Sequence, residues 1–165
     1  MQVGIEVKLP ALAGIDAARI IGDELTGATE AALVDVQEQV VRRTPANFGQ
    51  LRRAWGREVF PLGSNAPTLG RVFNTLPYAL PVETGRRPGK WPPFAPIALW
   101  VKRKLRVAIK DLARVTFAVQ RKIGREGTTG AWMARDGWAA ALPSVRGRFR
   151  VALRRINGRL RGGRS

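Results

Sequence analysis

Residues able to do chemistry are few in this chain, and they are scattered. Cysteine and histidine are absent from its 165 residues. That removes the thiol nucleophile, the thiolate and imidazole metal ligands, and the commonest general base. Only five of the twelve acids lie beyond residue 40: Glu58, Glu83, Asp111, Glu126 and Asp136. They are too widely separated for the clustered carboxylates that a metal-dependent nuclease needs. The glycine-rich stretch REGTTG at 125–130 lacks both the preceding strand and the Lys-Ser/Thr pair of a phosphate loop, so it reads as a turn. The expectation is a protein that is not an enzyme, with no catalytic, cofactor or metal site.

Two stretches offer binding chemistry instead. The first is Tyr78 to Pro96, YALPVETGRRPGKWPPFAP, which sets one acid, Glu83, among Arg86, Arg87 and Lys90, with Tyr78, Trp91 and Phe94 as aromatic anchors. A lone carboxylate among cations accepts charge-assisted hydrogen bonds that order a turn. Pro88, Pro92, Pro93 and Pro96 fix φ and lack a donor, which rules out a long helix or a central strand and favours a stiff binding loop. The simpler account is that its aromatics pin a surface loop to the core. The second stretch is 146–165, where Arg146, Arg148, Arg150, Arg154, Arg155, Arg159, Arg161 and Arg164 meet no acid in the sequence.

The elements that must carry these stretches follow from periodicity. Val3, Ile5, Val7 and Leu9 alternate with polar residues or glycine as an edge strand or arm ended by Pro10. From Gly14 to Arg43, Ile15, Ala18, Ile21, Leu25, Ala28, Ala32, Val36 and Val40 keep the spacing of one helical face, and Asp23, Glu24, Glu30, Asp35 and Glu38 fall on its outer face. Thr44-Pro45 stops this helix. TPANFGQLRRAWG reads as a turn and a short helix, with Asn47 as cap and Phe48, Leu51 and Trp55 as its apolar edge. Residues 58–62 and 69–74 read as a hairpin. Ile97, Val101, Leu105, Ala108, Leu112, Val115, Val119 and Ile123 keep helical spacing, in one helix or two, as far as a C-cap at Gly124. A short helical segment with Trp132 and Trp138 ends at Leu142-Pro143, and Ser144 caps a last helix striped by Val145, Phe149, Leu153 (or Ala152), Ile156 and Leu160. The fold class is α+β, a long N-terminal helix and C-terminal helices packed on a small antiparallel sheet. Two parts are expected, an α+β domain over 1–145 and an arginine-rich helix and tail over 146–165.

Charge is unevenly placed. Residues 1–40 hold seven acids against Lys8 and Arg19, whereas residues 41–165 hold 27 cations against five acids, within a net charge of +17. Such asymmetry points to nucleic acid, or to an oligomer in which unlike faces of neighbouring copies meet. No charged leader precedes an apolar run and no run of about 18 apolar residues occurs, so neither secretion nor a membrane partner is expected.

The order of Thr44-Pro45, Gly49, Leu51-Arg52-Arg53, Tyr78, Glu83-Thr84-Gly85 and Pro92-Pro93-Phe94 after a long helix resembles the tail-completion, or head-to-tail joining, family of long-tailed bacteriophages. The likeness covers most of residues 14–157 and departs from the family's pattern at Asn47-Phe48 and Leu80-Pro81. It implies a structural virion protein of the neck, assembled in the host cytoplasm. In that role it forms a ring of six or alternatively twelve copies, which closes the tail tube and joins it to the head connector. Its partners would then be itself, the connector or adaptor and tail-tube proteins, with non-specific contact to genomic DNA. The alternative class is a basic nucleic-acid-binding module, for which the arginine-rich end and a pI near 11.8 are the footprint.

Overall fold

The computed structural model of the protein describes residues 2–7, 15–46, 49–60 and 68–162. The chain divides into two compact units, one made of residues 1–79 and 133–165, the other of residues 80–132. The boundary expected at residue 145 falls inside the last helix. No helix among the described residues is long and apolar enough to cross a membrane.

In the first unit, β1 (Gln2–Val7), β2 (Trp55–Phe60) and β3 (Thr68–Asn74) form an antiparallel sheet in the order β1-β3-β2, so the N-terminal strand takes the edge expected of it. Val59 pairs with Gly70 and Val3 with Val72. Along β3, Thr68, Gly70, Val72 and Asn74 are buried, the two-residue period of a sheet with one covered face. The cover is helix α1 (Ile15–Arg43). A Cβ placed on Gly70 would lie 2.7 Å from Thr29 Cγ2 and 2.9 Å from Leu33 Cδ1, so glycine is what lets helix and strand approach this closely.

Helix α1 is a middle layer. Thr26, Thr29, Leu33 and Gln37 recur every three or four residues and face the sheet; Thr26 shares a hydroxyl hydrogen bond with Thr68, and Gln37 Nε2 donates to the Trp55 carbonyl at 2.7 Å. Its opposite side receives α6 (Met133–Gly162), where Ile21 and Leu25 pack with Ile156, Phe149 and Leu160. Gly137 lies flat against Val40, with room for no side chain. Helix α1 therefore lies between the sheet and α6.

Helix α6 differs from the sequence expectation in being continuous through Pro143. An interior proline forfeits one backbone hydrogen bond and costs about 3 kcal/mol. Here Ala141 and Val145 bury on either side of it, and Ala152 and Ile156 follow, so packing against α1 overrides the break. Ser144 consequently caps nothing. Of the two candidates for the stripe, Ala152 is buried and Leu153 exposed.

The corner between α1 and the sheet is a hydrogen-bonded knot. Thr44 is fully buried; its hydroxyl donates to the Val40 carbonyl at 2.7 Å and accepts from Trp55 Nε1 at 2.9 Å, while Arg52 Nε donates to the Thr44 carbonyl at 2.7 Å. Helix α2 (Gln50–Arg53) starts from Gly49, whose φ of 72° is the left-handed conformation glycine adopts without strain. Asn47 and Phe48, expected to cap and anchor it, lie outside the described residues. Asn74 Nδ2 closes the knot on the Leu51 carbonyl at 2.9 Å.

The 80–132 unit is built differently. The stretch read as one loop contains α3 (Ala79–Thr84) and the two-residue strand β4 (Gly85–Arg86), which pairs with β5 (Thr128–Thr129), so the supposed turn at 125–130 supplies a strand. Helix α4 (Phe94–Trp100) widens into a π turn over Val101–Leu105 and stops at Arg106, a non-glycine residue at φ 50°. Helix α5 (Ile109–Glu126) follows, so the apolar repeat belongs to two helices. The C-cap is Gly127 at φ 75°, three residues beyond Gly124, because Gly124 is needed inside the helix as the seat of Trp91.

Candidate functional site

The loop between β4 and α4 is held by α5. Gly89 N–H donates to the Gly124 carbonyl at 2.8 Å, and the buried Gln120 amide donates to the Pro92 carbonyl at 2.7 Å. The Trp91 ring lies over Gly124, where a Cβ would come within 2.8 Å of its Cδ1, and its centroid is 5.5 Å from that of Phe117 at a 55° tilt. The loop is thus ordered by two backbone groups it cannot satisfy alone, the Gly89 N–H and the Pro92 carbonyl, and by one aromatic pair.

Its side chains do not all do what their spacing suggests. Trp91 and Phe94 remain about half exposed, at 48% and 47%, as do Tyr78 and Leu80. Arg87 and Lys90 are exposed and Arg86 half-buried; together with Leu80, Pro81 and Thr84 they line a shallow pocket of about 390 Å³. Glu83 is turned inward. It is buried at 4% exposure in the last turn of α3, and its carbonyl takes the Trp132 N–H at 3.1 Å. The three cations leave the pocket rim positive.

The same unit displays apolar residues that the sequence had marked as helix core or had not singled out. Ile109 is 82% exposed, and Leu99, Leu105 and Phe117 are about half exposed. The signal that could have found them is the density of apolar residues on short helices, which leaves more than one face apolar.

In the first unit, the arginines of α6 divide into two sets. Arg148 Nε and Nη2 each donate to Asp35 at 3.1 Å, and Ser144 donates to the same carboxylate. Arg159 lies 3.3 Å and Arg155 3.9 Å from Glu24. The expectation that these arginines meet no acid is therefore wrong for three of them, because Glu24 and Asp35 sit on the α6 side of α1, with side chains only 12% and 17% exposed, and not on its outer face. The bonds from Arg148 hold the Asp35 carboxyl below the usual carboxylate range, and partial burial opposes them. The other set, Arg146, Arg150, Arg154 and Arg161, is exposed and has no acidic partner among the described residues. Arg164 lies outside them.

Among the described residues no group of three or more His, Cys, Asp or Glu side chains is placed to hold a metal ion. Comparison of the chain with protein-family models, with curated proteins and with solved structures returns no match.

Proposed function

We propose that the protein is a non-catalytic structural subunit of a bacteriophage neck, a ring that closes the tail tube and joins the tail to the head connector. The observation that carries this reading is the surface of the 80–132 unit. It holds two buried apolar side chains among the described residues, Pro92 and Val101, while Leu80, Trp91, Phe94, Leu99, Leu105, Ile109 and Phe117 stand exposed. Apolar surface of that extent marks a contact waiting for a partner, and a proline-stiffened loop loses little entropy on docking. The order of motifs shared with tail-completion proteins supplies the kind of partner. A reconstruction of the assembled particle should place the protein as a closed ring, with six copies the first expectation, between head and tail. Isolated monomers at that position, or absence from the neck, would sink the reading.

A second reading, a basic nucleic-acid-binding module, has one observation in its favour: four arginines of α6 free of acids. It calls for duplex binding whose affinity falls steeply with salt and shows little sequence preference.

A further inference from the structure

The free arginines of α6 form a row. Arg146, Arg150, Arg154 and Arg161 stand at i, i+4, i+8 and i+15, offsets that keep them within one face of a helix, and that face is turned away from the buried Val145, Ala152 and Ile156. Helix α1 carries a matching row of opposite sign. Asp23, Glu30 and Glu38, at i, i+7 and i+15, are exposed, with Val34, 45% exposed, between the last two. Asp23 and Glu30 make no ion pair among the described residues, and Glu38 has only its neighbour Arg42 at 2.6 Å, an exposed contact of little worth. Both rows span fifteen residues, or about 22 Å at 1.5 Å per residue.

We infer that the arginine row of α6 docks antiparallel on the acidic row of α1 in a second copy of this chain. Arg161 then stands opposite Asp23, Arg154 opposite Glu30 and Arg146 opposite Glu38, while the aliphatic stem of Arg150 covers Val34. The parallel alternative puts Leu153 opposite Glu30 and loses the central pair. The docked pair repeats what the protomer already does internally, where α1 and α6 run antiparallel and Asp35 and Glu24 take Arg148, Arg155 and Arg159. The two rows are unlike faces of one protomer, so the contact is head-to-tail and propagates into a ring or a filament. This inference rests on the reading that the chain assembles with copies of itself, and it names the residues of that contact.

Sedimentation of the purified full chain tests it. At low ionic strength the wild type should associate reversibly, and added salt should reverse the association because exposed charges are screened beyond about 10 Å at 0.1 M. Glu30→Arg and Arg154→Glu should each weaken association by at least about tenfold. An equimolar mixture of the two variants should regain it, since each contact then pairs opposite charges, and so should the double variant. Should a reversal unfold the chain, Glu30→Gln and Arg154→Gln replace it, with a smaller loss expected. A wild type that stays monomeric overturns the inference. So do single variants that associate normally, including the case in which they lose salt-steep binding to random-sequence duplex, which would assign the row to nucleic acid. Association indifferent to the swaps leaves the neck reading intact, whereas absence from the particle's neck removes that reading and leaves the contact standing.

Discussion

Residues 1–79 with 133–165 contain seventeen of the nineteen buried apolar side chains among the described residues, whereas residues 80–132 contain two. The exposed large apolar side chains distribute the other way for the lengths involved, with seven in the shorter unit. A small unit has too little volume to shelter its own apolar surface, and the usual remedies are staples or partners. This chain has no cysteine and no metal cluster among the described residues to staple it. The first unit is thus the folding core, and the second is organised by local devices: a proline-rich loop, an aromatic pair and two short strands.

Damage to each unit at its most characteristic position should have the most unequal effects. Leu33 is 1% exposed between α1 and the sheet, and Leu33→Ala should cost about 3 kcal/mol by losing transfer energy and leaving a cavity. Ile109→Ser, at 82% exposure, should stay within about 0.5 kcal/mol. Urea unfolding of both variants measures the contrast. Equal costs would mean that Ile109 is covered in solution and that the division into a burying and a displaying unit is mistaken.

Next in size is the effect on assembly. Replacing Trp91 and Phe94 together by alanine should weaken assembly into particles by at least about tenfold, through the loss of aromatic anchors that docking buries, while the unfolding of the first unit keeps its midpoint. If the double variant unfolds in solution yet assembles whenever it is folded, the loop only packs its own unit. Truncation after Pro143 does not serve this purpose, because it removes Val145, Ala152 and Ile156 from the core along with the arginines.

How far the sequence foretold this follows the same division. Where one face meets one partner, periodicity reads correctly: the stripe from Ile21 to Val40, the pairing of two neighbouring strands and the docking edge of α6 stand as expected, although β2 begins at Trp55, which the sequence placed on the short helix. It fails at Pro143 because a local rule meets a long tertiary contact, and packing wins. It fails at Glu24 and Asp35 because α1 is covered on two sides, so an acid that looks outward from one layer looks inward to another. In the 80–132 unit the tight glycine contacts mislead differently. Gly124 resembles a helix stop in sequence, yet its lack of a side chain serves Trp91 from within the helix. Of the candidate site residues, the exposed aromatics and cations were legible from type alone. The inward turn of Glu83 was not, since burial depends on residues distant in sequence.

The smallest expected effect concerns the charge cluster that ties α6 to α1. Asp35 accepts from both Arg148 and Ser144, and Arg148 raises its own affinity for a proton through the same bond while lowering that of Asp35. A carboxylate whose folded pKa lies below its ordinary 3.8 favours folding wherever it is ionised. That contribution is complete above the unfolded value and disappears as pH falls through the folded one. Arg148 stays charged throughout this range and adds no second transition. Asp35→Asn should therefore cost about 1 kcal/mol near neutral pH, the net worth of a charged hydrogen bond on a partly covered surface. The gap between variant and wild type should hold steady down to about pH 5 and close below 3.8. Urea midpoints of the two proteins at several pH values measure it. A gap that persists unchanged into acid would show that Asp35 holds α6 by its shape and hydrogen bonding in either protonation state, and that this corner of the helix pair owes nothing to its charge.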